Sequence, residues 1–132
     1  MRVGFINGCF DILHVGHLLL FEFCKEHCDY LIVAVDSDEK VKKDKGASRP
    51  FNCLDDRIKM LSSLRTVDNV TSFDSKESLA LLVKNISPDV MVVGSDWKGK
   101  TVVGSEYAKE LRFFRRIDGY STTSILENSA DR

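Results

Sequence analysis

The sequence predicts an α/β fold: a parallel five-stranded sheet with helices on both faces. Three observations carry that prediction. Short apolar runs alternate with stretches of helical period, in the order βαβ, αβ, αβ, αβ, α. Two runs, residues 30–35 and Val90-Met91-Val92-Val93, are continuously apolar, as in strands covered on both faces. The runs end in turn chemistry, such as Asn7-Gly8 after the first and Asp36-Ser37 after the second.

Residues 2–7 read as the first strand. Residues 16–27 set Leu18, Leu19, Phe21, Phe23 and Cys24 among polar residues and read as a helix. After the strand at 30–35 comes a polar segment to Ser48, carrying Lys40, Lys42, Lys43 and Lys45; it reads as a mobile loop. Residues 54–65 repeat Leu54, Ile58, Leu61 and Leu64 at helical spacing, with Asn52 expected as the cap. A short strand follows at 67–71. The helix at 76–86 gathers Leu79, Leu82, Val83 and Ile86 on one side, and Pro88 closes it. Residues 105–110 read as a short helix and 111–117 as the last strand. A final helix is expected to start within Ser121-Thr122-Thr123-Ser124.

The 132 residues fit one domain, 1–132, with a core of its own. Hydrophobic residues make up 43% and charged residues 30%, which sets aside a disordered or fibrous chain. The formal net charge is -1, so a backbone-reading nucleic-acid binder, which is clearly basic, is not expected. No apolar run approaches the roughly 20 residues of a membrane span. The N-terminus reads as a strand rather than a signal peptide. Cys9, Cys24, Cys28 and Cys53 show no zinc spacing and are expected to be reduced, in a cytoplasmic protein.

In parallel sheets of this kind ligands sit beyond the carboxyl ends of the strands. After the first strand comes Gly8-Cys9-Phe10-Asp11-Ile12-Leu13-His14-Val15-Gly16-His17, which is neither GxGxxG nor a Walker A loop. Gly8 permits a tight departure from the strand. Gly16 lies where a side chain would crowd a ligand. His14 and His17 are three apart at a helix start, and two imidazoles there can donate to phosphate oxygens. Three other readings stand beside this one: metal ligation with Asp11, a catalytic pair with Cys9, and purely structural histidines. The lysine-rich segment is either a solvated face or a loop laid over phosphates. Gly94-Ser95-Asp96-Trp97 follows the fourth strand, where Trp97 either stacks a base or joins the core. Arg116 and the hydroxyls of Ser121, Thr122 and Thr123 follow the fifth and make a second anion site.

These pieces resemble the small HxGH nucleotidyltransferases of the cytidylyltransferase-like fold, a Rossmann-like architecture. The resemblance runs through Gly8 to His17, the strand at 29–35, Arg57, Gly94-Ser95-Asp96-Trp97 and Gly119-Tyr120-Ser121-Thr122-Thr123-Ser124-Ile125. Lys42-Lys43-Asp44-Lys45-Gly46, Arg49-Pro50-Phe51-Asn52 and Cys9 resemble the adenylyltransferase domain that makes ADP-heptose. Asp96-Trp97-Lys98-Gly99-Lys100 resembles glycerol-3-phosphate cytidylyltransferase, the alternative branch.

The resemblance implies transfer of a nucleoside monophosphate from a nucleoside triphosphate to a sugar or polyol phosphate, with release of pyrophosphate. It implies that His14, His17 and Lys45 are catalytic. Gly8, Cys9, Phe10, Gly16, Asp96, Arg116, Ser121, Thr122 and Thr123 would join the histidines in holding the nucleotide. Lys42, Asp11 and Arg57 would bind the acceptor, with Asp11 alternatively tying down the motif's backbone and Arg57 the loop. Mg²⁺ would arrive on the triphosphate, with no dedicated metal site. The family resemblance also implies a homodimer with small-molecule substrates. The near-neutral charge and the lack of a long apolar run are the grounds for expecting no nucleic-acid or membrane partner.

Overall fold

A computed structural model gives the architecture, and it describes residues 1–115. The strands are β1 (Val3–Gly8), β2 (Tyr30–Asp36), β3 (Asn69–Phe73), β4 (Val90–Gly94) and β5 (Glu110–Phe114). The helices are α1 (Val15–Glu26), α2 (Asp38–Lys45), α3 (Leu54–Ser62) and α4 (Lys76–Ile86). The sheet order is β3-β2-β1-β4-β5, and every pairing is parallel. The chain leaves β1 toward β2 on one side and returns to β4 on the other, so the switch point lies between β1 and β4.

Alternation along the strands builds a core on each face. Ile6, Val33, Val35, Val90 and Val92 pack with Phe21 of α1 and Leu61 of α3. Their neighbours Phe5, Ala34 and Met91 point the other way, onto Leu79 and Val83 of α4 and onto Val102. Gly104 closes that second layer. Its φ is 84°, and a Cβ there would sit 2.8 Å from a methyl of Val83, so glycine is required twice over.

The 36–48 segment departs from the sequence reading. It is not a loop but contains α2, which has only one buried residue, Val41. Its stability is local and polar. Ser37 Oγ accepts from the Lys40 N–H at 3.2 Å. Asp38 and Glu39 occupy the first turn and Lys42, Lys43 and Lys45 the last, matching the helix dipole. Lys40 bonds Asp44 at 2.6 Å and Asp36 at 3.4 Å.

Smaller differences lie at element ends. Residues 105–110 hold only a three-residue 3-10 turn, Ser105–Tyr107, before β5 starts at Glu110. Cys53, not Asn52, is the N-cap position of α3, because Asn52 is engaged elsewhere. The expected helix from residues 121–124 lies outside the described residues. Among the described residues, no helix is long and apolar enough to cross a membrane.

Candidate active site

The carboxyl ends of all five strands open on one cleft of about 530 Å³, touched by Gly8 of β1, Asp36 of β2, Phe73 of β3, Gly94 of β4 and Phe114 of β5. The turn out of β1 shapes its centre. Phe10 adopts a left-handed φ of 49°, uncommon for a bulky residue. Its ring folds back over Gly8, where a Cβ would lie 3.0 Å from it. The ring then meets Phe21 at 5.3 Å and the edge of His17 at 5.2 Å.

His14 is the N-cap residue of α1, and His17 lies in its first turn. Their rings stack with centroids 3.8 Å apart and planes 23° from parallel, and both line the cleft. The backbone N–H of His14 donates to Nδ1 of His17 at 3.3 Å. That bond leaves the neutral His17 proton on Nε2. Burial pushes the His14 pKa below its usual 6.5, so this ring is neutral in the free protein near pH 7. A neutral His14 ring stacked on His17 fits donation to an anion and avoids repulsion between two adjacent cations.

Two charged side chains that read as substrate ligands belong instead to the frame. Arg57 is 0% exposed and lies outside the cleft wall. Its guanidinium donates to the carbonyls of Asn52 (3.0 Å), Cys9 (3.0 Å) and Asp36 (2.8 Å), and to the Asp38 carboxylate (2.8 Å). One side chain thus ties the exits of β1 and β2 to the start of α2. An acceptor phosphate has no access to it, so of its two expected tasks the structure supports the loop-holding one. Asp11, 1% exposed, accepts from the backbone N–H groups of Phe51 and Asn52, both at 2.8 Å. Asn52 returns a bond from Nδ2 to the Asp11 carbonyl at 2.6 Å. Asp11 therefore braces the β1 exit against the segment before α3. Its carboxylate is taken up by those backbone amides and by Arg49 at 3.4 Å, which fits the bracing one of its two expected tasks.

Lys45, at the end of α2, lines the cleft, and its charge is felt at Cys9 across the β1 exit. Burial is the larger influence on Cys9 and raises its thiol above 9.0, against a thiolate nucleophile there. Lys42 is exposed and outside the cleft wall, one turn before Lys45 on α2, and the structure does not bring it to the site. Cys9, Phe10 and Gly16 line the cleft as expected. Asp96 sits in the 3-10 turn Ser95–Trp97, beyond the lining, while Trp97 next to it enters the wall and is 44% exposed. Arg116, Ser121, Thr122 and Thr123 lie outside the described residues.

The sequence reading did not assign Lys40, Arg49 or Lys76 to the site, yet all three line the cleft. Lys40 is placed by its local bonds: the Ser37 cap starts α2 there, and Asp36 and Asp44 hold its ammonium beside the β2 exit. Nothing local in the sequence marks Lys76, which reaches the cleft only because β3 ends there.

The lining carboxylates are both engaged, Asp11 by backbone amides and Asp36 by Lys40. Neither carboxylate of the described lining is poised as a base, and the cleft presents hydrogen-bond donors and cations. That chemistry suits a reaction in which anions must be held together and developing negative charge stabilised.

The cytidylyltransferase-like family matches residues 5–129. The chain is 48% identical over 126 residues to the bifunctional protein HldE of Nitratiruptor sp., which covers 96% of this chain and 27% of that protein. It is also 48% identical over 130 residues to the bifunctional protein HldE of Campylobacter concisus, covering 98% of this chain and 27% of that protein. The chain thus spans about a quarter of the length of these relatives. Among solved structures, the lipopolysaccharide core biosynthesis protein from Thermoplasma volcanium superposes with a TM-score of 0.72 at 23% identity, over 87% of this chain and 98% of that one. Pantoate-beta-alanine ligase from Francisella tularensis gives 0.61 at 16% identity, over 97% and 65%. At those identities the likeness is one of fold.

Proposed function

The chain belongs to the cytidylyltransferase-like family, and from that premise we propose that it is a nucleotidyltransferase joining ATP to heptose 1-phosphate to give ADP-heptose and pyrophosphate. The observation that carries the reading is the stacked His14–His17 pair, opening onto a cleft whose carboxylates are already engaged. Identity of 48% to bifunctional HldE proteins supports this branch, as do Cys9 and the resemblance at Lys42 to Gly46 and Arg49 to Asn52.

In this reading an oxygen of the acceptor phosphate attacks the α-phosphorus in line. The bond from that phosphorus to the bridging oxygen of pyrophosphate breaks, and pyrophosphate leaves with the electron pair. The acceptor's second pKa is about 6, so it is already anionic and requires no general base. The protein supplies position and charge. His17, through Nε2, and His14 donate to phosphate oxygens as charge builds on the leaving group. Lys45 bridges donor and acceptor phosphates. The resemblance adds Arg116, Ser121, Thr122 and Thr123 on the β and γ phosphates and Asp96 near the ribose. Mg²⁺ comes as part of the nucleotide substrate. A cytoplasmic homodimer completes the reading, the compartment from the unpaired cysteines and the dimer from the resemblance.

The string Asp96-Trp97-Lys98-Gly99-Lys100 favours a second reading, CTP with glycerol 3-phosphate, through the same steps. Pyrophosphate release, measured with Mg²⁺ for ATP, CTP, GTP and UTP against both acceptors, separates the two. Signal confined to ATP with heptose 1-phosphate is expected. Signal confined to CTP with glycerol 3-phosphate would exchange the readings, and silence from a folded, nucleotide-binding protein would overturn both.

A further inference from the structure

The cleft is electrically divided. On the β4–β5 side the described lining is Val93, Gly94, Trp97, Val102, Val103 and Phe114, without a charged side chain. The lysines and arginines of the described lining, Lys40, Lys45, Arg49 and Lys76, all come from the segments that follow β2 and β3 in the chain. A base and its sugar fit the first side and a second anion the other. The cations are not equivalent. Lys40 is held between Asp36 and Asp44. Arg49 leans on the buried Asp11 at 3.4 Å. Lys45 and Lys76 have no carboxylate within ion-pairing distance among the described residues.

Lys76 is also out of place for its helix. It is the first residue of α4, where a cation opposes the helix dipole and acidic residues are preferred. The Ser75–Ser78 capping box, with both reciprocal bonds at 3.0 Å, holds that end without the lysine, whose charge is felt instead at Asp44 of α2 beside the cleft. A residue that breaks a local rule at the rim of a functional cleft is best explained by what it binds.

We propose that Lys76 is an acceptor-recognising residue, which contacts the phosphorylated sugar from the β3 end of the cleft while Lys45 meets the phosphate nearer the histidines. The inference rests on the nucleotidyltransferase reading and adds a determinant of acceptor choice to it. An ammonium with three donors and a long stem can serve a phosphate oxygen or several sugar hydroxyls. Set apart from the uncharged side of the cleft, it contributes to acceptor affinity and not to nucleotide affinity.

The test is calorimetric titration of heptose 1-phosphate, and separately glycerol 3-phosphate, into protein saturated with Mg²⁺ and an α,β-methylene nucleotide that cannot be cleaved. Lys76→Ala is expected to weaken binding of the sugar phosphate by roughly 10-fold or more, the scale of a lost charge-assisted bond. Lys76→Arg should restore most of it, and nucleotide affinity measured alone should be the same in all three proteins. Equal acceptor affinity in wild type and Lys76→Ala would overturn the role of Lys76 and leave the nucleotidyltransferase reading intact. So would a matching loss of nucleotide affinity, which would make Lys76 a general cation. Nucleotide binding with no acceptor bound by wild type would overturn both.

Discussion

The backbone N–H of His14 donates to Nδ1 of His17, which fixes the His17 proton on the opposite nitrogen, at the cleft. The donor is thus set before any substrate arrives, and little reorganisation remains for the reaction itself.

His17→Ala removes that donor and, on the core side, the edge-on contact with Phe10. Turnover is expected to fall about 10²–10³-fold, the scale for losing one charge-stabilising donor. The circular dichroism spectrum should be unchanged. Near-wild-type kcat in the purified variant would remove His17 from the phosphate-holding role.

His14 predicts a pH dependence of folding. Its folded pKa lies below 6.5 because burial disfavours the imidazolium. Between the two values the unfolded chain binds more protons than the folded one, so stability rises with pH across that window. The contribution is fully present above 6.5 and is lost as pH falls to the folded value. Urea midpoints from pH 5 to 8 should show a shallower acid limb for His14→Gln than for wild type. Identical limbs would mean that His14 is not desolvated.

Arg57→Met should destabilise the fold by about 3 kcal/mol or more, since breaking a buried charged network leaves its partners unsatisfied. Three carbonyls and the Asp38 carboxylate lose their donor at once. Arg57→Lys should not rescue it, because an ammonium cannot span four acceptors in fork geometry. Urea denaturation measures both. A loss under about 0.5 kcal/mol, the range of an ordinary surface substitution, would contradict the bracing role.

Lys45→Ala should lower kcat far more than it raises the nucleotide KM. Lys42→Ala, exposed and outside the cleft wall, should change either by no more than about 2-fold, as exposed substitutions generally do. Steady-state kinetics of the two variants side by side decide the matter. A reversed order would relocate the bridging lysine and require α2 to turn in the complex.

Much of this was legible in the sequence, and what was missed has physical causes. The parallel sheet was readable because β2 and β4 are covered on both faces and leave unbroken apolar runs. The His14–His17 pair was readable because its spacing and its position after β1 are local. α2 was missed because a hydrophobic period needs more than one buried residue, and Val41 is alone. Its signal was instead polar, in the Ser37 cap, the acidic first turn and the basic last turn. Arg57 was misplaced because sequence displays charge but not burial. An arginine at 0% exposure, bonded to three carbonyls, looks the same in a string of letters as one reaching for phosphate. Lys76 was invisible because only the sheet order brings the end of β3 to the same cleft as β1.

Attack of the acceptor phosphate itself on the α-phosphorus can be followed with heptose 1-phosphate carrying ¹⁸O in its phosphate oxygens, incubated with MgATP and read by mass spectrometry and ³¹P NMR. All the label is expected to be retained in the diphosphate of ADP-heptose, with none in pyrophosphate. Label in released phosphate or pyrophosphate, or a nucleotide product without it, would rule that attack out.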